Sequence, residues 1–205
     1  LEPDLVVGAF ITAPETIEKI EAAGIAVWIA DSTDVRGVPG AIELLGRAIG
    51  HGDEAANVAS KLLGEIDSII AIVSATEHRP RVFHELDATN PTKPYTVGPG
   101  NFVHSLITLA GGDNIFADAP MAYPQVSFEQ VLARNPEAII LADAPFGVSA
   151  ESVRGRTGWE TIDAVAHDRL FAVTEEISDQ MSIPGPRIGR GLRAIAEFLH
   201  PELFK

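Results

Sequence analysis

The sequence predicts an α/β fold in which parallel β-sheets are covered by helices, with the 205 residues forming two units of similar design. Three observations lead there. Short apolar runs alternate with segments of helical periodicity, the pattern of βαβ units. One strand-to-helix motif occurs in both halves, and a long helical segment with a single apolar stripe lies between them.

Taken in order, Leu5-Val6-Val7 follows Pro3-Asp4 as a short buried strand. Ile17, Ile20 and Ala23 are spaced for a helix stopped by Gly24, and Ile25-Ala26-Val27-Trp28-Ile29-Ala30 is the next strand, ending at Asp31-Ser32. A helix runs from Val38 to Ile49 and closes at Gly50, or at Gly52 in the linker His51-Gly52-Asp53. Ala55, Val58, Ala59, Leu62, Ile66, Ile69, Ile70 and Val73 then recur at steps of three and four. Such a helix serves as a strut between two lobes or as the longest core helix, and periodicity alone admits both.

Arg79-Pro80 breaks that pattern, and Arg81 to Leu86 reads as the first strand of a new unit. Gly111-Gly112 stops a helix from Val103 to Ala110. Ser127 with Gln130 forms a capping box for a helix from Phe128 to Arg134, which Asn135-Pro136 ends. The strand Ala138 to Ala142, helices near Glu151 to Arg154 and Trp159 to Ala164, the strand Leu170 to Val173 and a final helix from Pro186 to Leu199 complete the chain, with Pro201 closing it. Trp28 and Trp159 are expected in the core.

Pro3-Asp4-Leu5-Val6-Val7 and Pro136-Glu137-Ala138-Ile139-Ile140 share one form: a proline, an acid and a buried strand. Each leads to an acid at the next helix start, in Ala13-Pro14-Glu15-Thr16 and Ser149-Ala150-Glu151-Ser152. Either glutamate favours the positive end of its helix by about 0.3–1 kcal/mol. Matched placement also allows equivalent contacts to a two-fold partner.

With 29 acidic against 15 basic residues and a net charge of -14, the chain repels phosphate backbones, so nucleic acid is not an expected partner. No run approaches the roughly 20 apolar residues that cross a bilayer, so no direct membrane insertion is expected. The first residues lack the basic start and apolar stretch of a signal segment. Without cysteine there are no thiolate ligands or nucleophiles. Phosphate-loop, nucleophile-elbow and dinucleotide-binding motifs are missing, and no catalytic residue is expected. The six histidines, at 51, 78, 84, 104, 167 and 200, form no recognisable ligand pair, so no metal site is expected. His104 is the one placed for an axial or polar ligand contact.

Tyr95-Thr96-Val97-Gly98-Pro99-Gly100-Asn101-Phe102, Leu109-Ala110-Gly111-Gly112-Asp113-Asn114-Ile115-Phe116 and Tyr123-Pro124-Gln125-Val126-Ser127-Phe128-Glu129-Gln130-Val131-Leu132 resemble the helical-backbone (class III) periplasmic binding proteins of ABC importers, and the cobalamin-binding proteins above all. Gly158-Trp159, Ala164-Val165, Arg169-Leu170-Phe171, Pro184-Gly185-Pro186-Arg187-Ile188 and His200-Pro201-Glu202 fit the same pattern in the same order. The resemblance implies two Rossmann-like lobes with parallel sheets joined by one long rigid helix, here from about Asp53 to Ala75. It divides the chain into a partial N-terminal lobe (1–51), a connecting helix (52–78) and a C-terminal lobe (79–205). Family members carry further strands and helices before the position of Leu1, so the first lobe is expected to be truncated at its N-terminus.

The implied function is extracytoplasmic, in the periplasm or lipid-anchored on the outer membrane face. A bulky corrinoid such as cobalamin is captured between the lobes and delivered to an ABC permease dimer with its ATPase. The chain itself needs no cofactor; the transported ligand is cobalamin or another metal chelate. Haem or an iron-siderophore is the alternative ligand within the class. A metallo-enzyme subunit or a sensor module on the same fold is the alternative outside it. In the cobalamin-binding proteins a glutamate at the tip of each lobe docks onto arginines of the permease, and these fall on Glu15 and Glu151. Ligand contacts are implied at Gly98, Pro99, Gly100, Asn101 and Phe102, where glycines admit close backbone approach and Phe102 can cover a macrocycle. The same residues also make a tight turn and helix cap with Phe102 in the core. Tyr123 stands where the family often places a tryptophan. Ala9-Phe10 occupies the place of a first-lobe aromatic, and Met181 lines the cleft or fills a packing gap.

Overall fold

The computed structural model describes residues 2–9, 12–30 and 34–205, and it holds two separate parallel sheets. Phe10, one of the expected ligand contacts, lies outside the described residues. In the first unit β1 (Leu5–Ala9), α1 (Pro14–Ala22) and β2 (Ala26–Ala30) form a single βαβ turn, with Leu5 opposite Ala26 and Ala9 opposite Ala30. No described residue before Val35 is fully buried. Trp28 is only half-buried there, because a two-stranded sheet under one helix has little interior to offer.

A single 3₁₀ turn, Val35–Gly37, leads into α2 (Val38–Ala48) and α3 (Gly52–Val73). At 22 residues, α3 spans about 33 Å. It buries Ala55, Ala59, Leu62, Ile66, Ile69 and Val73, while Val58 of the predicted stripe faces solvent. Gly46 sets the crossing of α2 and α3: a Cβ there would lie 2.0 Å from that of Ala55. Polar contacts around Asp34 tie the 3₁₀ turn to α3 and to Ser105. Ser105 Oγ donates to Asp34 Oδ1 at 2.7 Å, the Val35 N–H donates to Ser105 Oγ at 3.3 Å, and Arg36 pairs with Asp67 at 3.0 Å.

The second unit is a four-stranded parallel sheet in the order β4-β3-β5-β6, from β3 (Arg81–Glu85), β4 (Asp113–Asn114), β5 (Ala138–Leu141) and β6 (Leu170–Ala172). Its helices are α4 (Phe102–Leu109), α5 (Phe128–Arg134), α6 (Ala150–Arg154), α7 (Asp163–Ala166), α8 (Glu175–Ser182) and α9 (Ile188–Leu199). Both faces are covered, so successive strand residues enter different cores. Val82 and Ile140 join Leu62, Ile66, Leu106 and Leu192 on one side. Phe83, Ile139 and Leu141 join Trp159, Val131 and Val153 on the other. Trp159 is in the core as expected, stacked on Phe128 with ring centroids 5.8 Å apart.

The capping box at Ser127 and Gln130 forms, with both reciprocal hydrogen bonds made. Three details differ from expectation. The stretch from Trp159 to Ala164 breaks at Ile162, whose extended backbone divides a 3₁₀ turn from α7. The final helix begins at Ile188, two residues after the predicted Pro186. Helix α8 was not expected: Glu-Glu-Ile-Ser-Asp-Gln-Met-Ser has no apolar stripe, but Thr174 caps it by accepting from the Ile177 N–H at 3.3 Å.

Candidate functional site

The chain leaves β3 toward β4 on one side and returns through β5 on the other, so the order of the sheet reverses between β3 and β5. At such a switch point the two crossovers diverge and leave a crevice beyond the carboxyl ends of the strands. A cavity of about 350 Å³ opens there, lined by Leu86, Asp87, Ala88 and Thr89 after β3 and by Asp143, Phe146, Gly147 and Val148 after β5. Asp143 is 5% exposed. Its Oδ2 accepts from the Ala88 N–H at 2.9 Å, and its Oδ1 has no protein partner. Burial pushes the Asp143 carboxyl above its ordinary range, with the Ala88 N–H pulling it back. Asp87 is held below its ordinary range by the Thr89 N–H, which donates to its Oδ1 at 2.7 Å. Phe146 stands at the rim, 87% exposed.

Beneath this crevice Glu85 is fully buried and paired in a fork with Arg156, Nη1 to Oε2 at 2.5 Å and Nη2 to Oε1 at 2.8 Å. The guanidinium also lies 4.6 Å over the Trp159 ring. Burial holds the Glu85 carboxyl up against the opposing pull of Arg156. His84, also buried, is pushed down to about 4 by desolvation, and its Nδ1 has no partner.

A second group of loops meets beside the first turn of α4. The Gly98 N–H donates to the Ala122 carbonyl at 2.9 Å, and a Cβ at Gly98 would fall 2.3 Å from the Met121 carbonyl oxygen, so only glycine lets these loops touch. Asn101 caps α4, its Oδ1 accepting from the Val103 N–H at 2.7 Å. Tyr123 is 40% exposed. Burial raises its phenol, and the Asn101 side chain opposes the shift. Met121, two residues before it, is also exposed. The structure thus brings Gly98, Asn101 and Tyr123 together, with Pro99 and Gly100 in the intervening turn.

Phe102 and Met181, at 4% and 2% exposure, are packed into the core that α4, α8 and α9 share, which is the packing alternative of the two readings the sequence admits for each. Ala9 is exposed at the carboxyl end of β1. His104 has its Nδ1 3.1 Å from Asn114 Nδ2 and is pushed down by burial, so that nitrogen is occupied by a neighbouring amide. Among the described residues, no group of three or more histidine or acidic side chains is placed to hold a metal.

Glu15 and Glu151 occupy matching positions. Glu15 is exposed in the first turn of α1, which follows β1 and leads to β2; Glu151 is exposed in the first turn of α6, which follows β5 and leads to β6. Each opens the crossover helix of a βαβ unit. Another cavity, about 400 Å³, lies between α3 and α9 beside Gly64 and Gly189. No strand end opens on it, and it lacks the switch-point geometry.

Asp87, Asp143 and Phe146 were not singled out from the sequence. The signal available was the run Leu141-Ala142-Asp143-Ala144-Pro145-Phe146-Gly147, an acid at a strand end followed by an aromatic in a Pro-Gly turn that cannot bury it.

Two parallel-sheet units joined by a long helix, with loops gathered at the strand ends, define a two-lobed binding-protein fold. The chain belongs to the periplasmic binding protein family, whose sequence profile matches residues 1–177. Over 211 residues it is 28% identical to an uncharacterized ABC transporter substrate-binding lipoprotein of Bacillus subtilis, covering all of this chain and 64% of that one. Over 143 residues it is 36% identical to a vitamin B12-binding protein of Salmonella paratyphi A, covering 69% of this chain and 52% of that one. It therefore spans between half and two thirds of these relatives' lengths. A periplasmic heme-binding protein from Roseiflexus sp. RS-1, in apo form, superposes with a TM-score of 0.83 at 24% identity over 98% of this chain and 77% of that one, which shows the shared fold.

Proposed function

We propose that this chain is the larger part of the extracytoplasmic substrate-binding component of an ABC importer, which captures a corrinoid at the carboxyl edge of its sheets and does no chemistry on it. The observation that carries the reading is the matched pair Glu15 and Glu151, each exposed at the head of a crossover helix in a unit whose strand ends hold the ligand loops. Like-placed carboxylates suit a dimeric permease, because a two-fold partner presents the same basic contact twice. Tyr123 and the Gly98–Gly100 turn face the ligand, Asn101 fixes that turn by capping α4, and Ala9 supplies the edge of the first unit. The vitamin B12-binding relative supports the corrinoid, and the lipoprotein relative supports a location outside the cytoplasm. Haem or an iron-siderophore is the other ligand class the fold accommodates.

The docking half of this reading is tested by Glu15→Ala and Glu151→Ala against the permease in nanodiscs. Each substitution is expected to weaken docking about tenfold, equivalent to about 1.4 kcal/mol, with cobinamide affinity unchanged. Loss of cobinamide binding instead would move both residues into the ligand cleft and overturn the assignment.

A further inference from the structure

The cavity at the β3–β5 switch point has an uneven chemistry. Its charged lining consists of two carboxylates, Asp87 and Asp143, and no lining residue is basic. Asp143 is 5% exposed, and one of its oxygens has no protein donor. A buried acceptor without a donor is costly, and a ligand N–H that reaches it recovers the lost hydrogen bond. A ligand carboxylate there would instead meet like charge at low dielectric. Phe146 at the rim offers an aromatic face to a flat macrocycle whose edge enters the cavity.

We propose that the Asp87–Asp143 cavity is a subsite for N–H donors on the edge of an uncharged macrocycle, and that it selects amide-edged corrinoids over carboxylate-edged tetrapyrroles such as haem. This rests on the binding-protein reading above and adds to it the feature that chooses among ligands. Selection arises from asymmetry: the pocket accepts hydrogen bonds through its carboxylates, and the ligand must supply the protons.

The test compares one macrocycle in two forms by calorimetry at pH 7: dicyanocobinamide, with primary amides at its edge, and dicyanocobyrinic acid, with carboxylates in their place. The protein is expected to bind the amide form at least tenfold more tightly. Asp143→Asn keeps the shape but turns an acceptor into a donor, and should narrow that ratio to threefold or less. Phe146→Ala, at an exposed site, should weaken both forms and keep the ratio. Equal affinity for the two forms in the unmodified protein, or an unchanged ratio in Asp143→Asn, overturns the subsite and leaves corrinoid binding standing. Failure to bind either form overturns the corrinoid reading, and the subsite with it.

Discussion

Replacing Arg156 with methionine is expected to destabilise the fold by about 3–5 kcal/mol, because it strands a buried carboxylate. Glu85 is fully buried at the end of β3, and both its oxygens are held by the Arg156 guanidinium, which also covers the Trp159 ring. Methionine retains part of the packing on Trp159 and removes every donor. Burial already raises the Glu85 carboxyl; without Arg156 it rises further. A raised folded-state value gives stability that is complete below the unfolded value and is lost as pH rises through the folded one. The defect should therefore shrink as pH falls from 7 to 5. Adding Glu85→Gln should recover part of the loss, since a neutral amide costs less to bury than an unpaired charge. Urea denaturation of the three proteins at both pH values measures this, and a loss below about 1 kcal/mol for Arg156→Met would show the pair to be dispensable.

Acid should weaken the protein through His84. Desolvation holds this buried imidazole at about 4, against an ordinary value of 6.5. A lowered folded-state value gives stability that is complete above the unfolded value and is lost as pH falls through the folded one. The window thus runs from pH 6.5 down to about 4, and across it His84 withdraws about 3 kcal/mol. Glu85 and Asp143, both raised by burial, act in the opposite sense over the acid range and mask part of the slope. Comparison with His84→Leu isolates the histidine: between pH 7 and 4 the unmodified protein should lose about 3 kcal/mol more than the variant. Parallel stability curves would place His84 in contact with water.

The two effects arise on adjacent residues of one strand, and they show what a sequence exposes and what it hides. Arg81-Val82-Phe83-His84-Glu85 was readable as a strand from its position after Arg79-Pro80. Its burial on both faces was not, because His84 and Glu85 look like a polar strand end until β5 and Arg156 cover them. Elements with a local signature were legible: Ser127 and Gln130 announced α5, and the spacing from Ala55 to Val73 announced α3. Helix α8 was not, since its stability comes from the Thr174 cap and from the packing of Met181 rather than from periodicity. The turn before α4 divides in the same way. Gly98 to Asn101 was legible as a tight turn and helix cap, whereas burial of Phe102 depends on how α4 packs against α9, a contact far apart in sequence. The run from Leu141 to Gly147 carries a local hint of Asp143 and Phe146, but the cavity they line depends on strand order, which no local pattern shows.

The central claim is that a corrinoid binds at the carboxyl edge of the sheets. Titrating the ¹⁵N-labelled protein with cobinamide while following backbone amides tests it most directly. Saturable shifts are expected at Ala88, Asn101, Tyr123 and Gly147, with little change at Gly64 and Gly189 between α3 and α9. Shifts confined to that helical groove, or none that saturate, would contradict it.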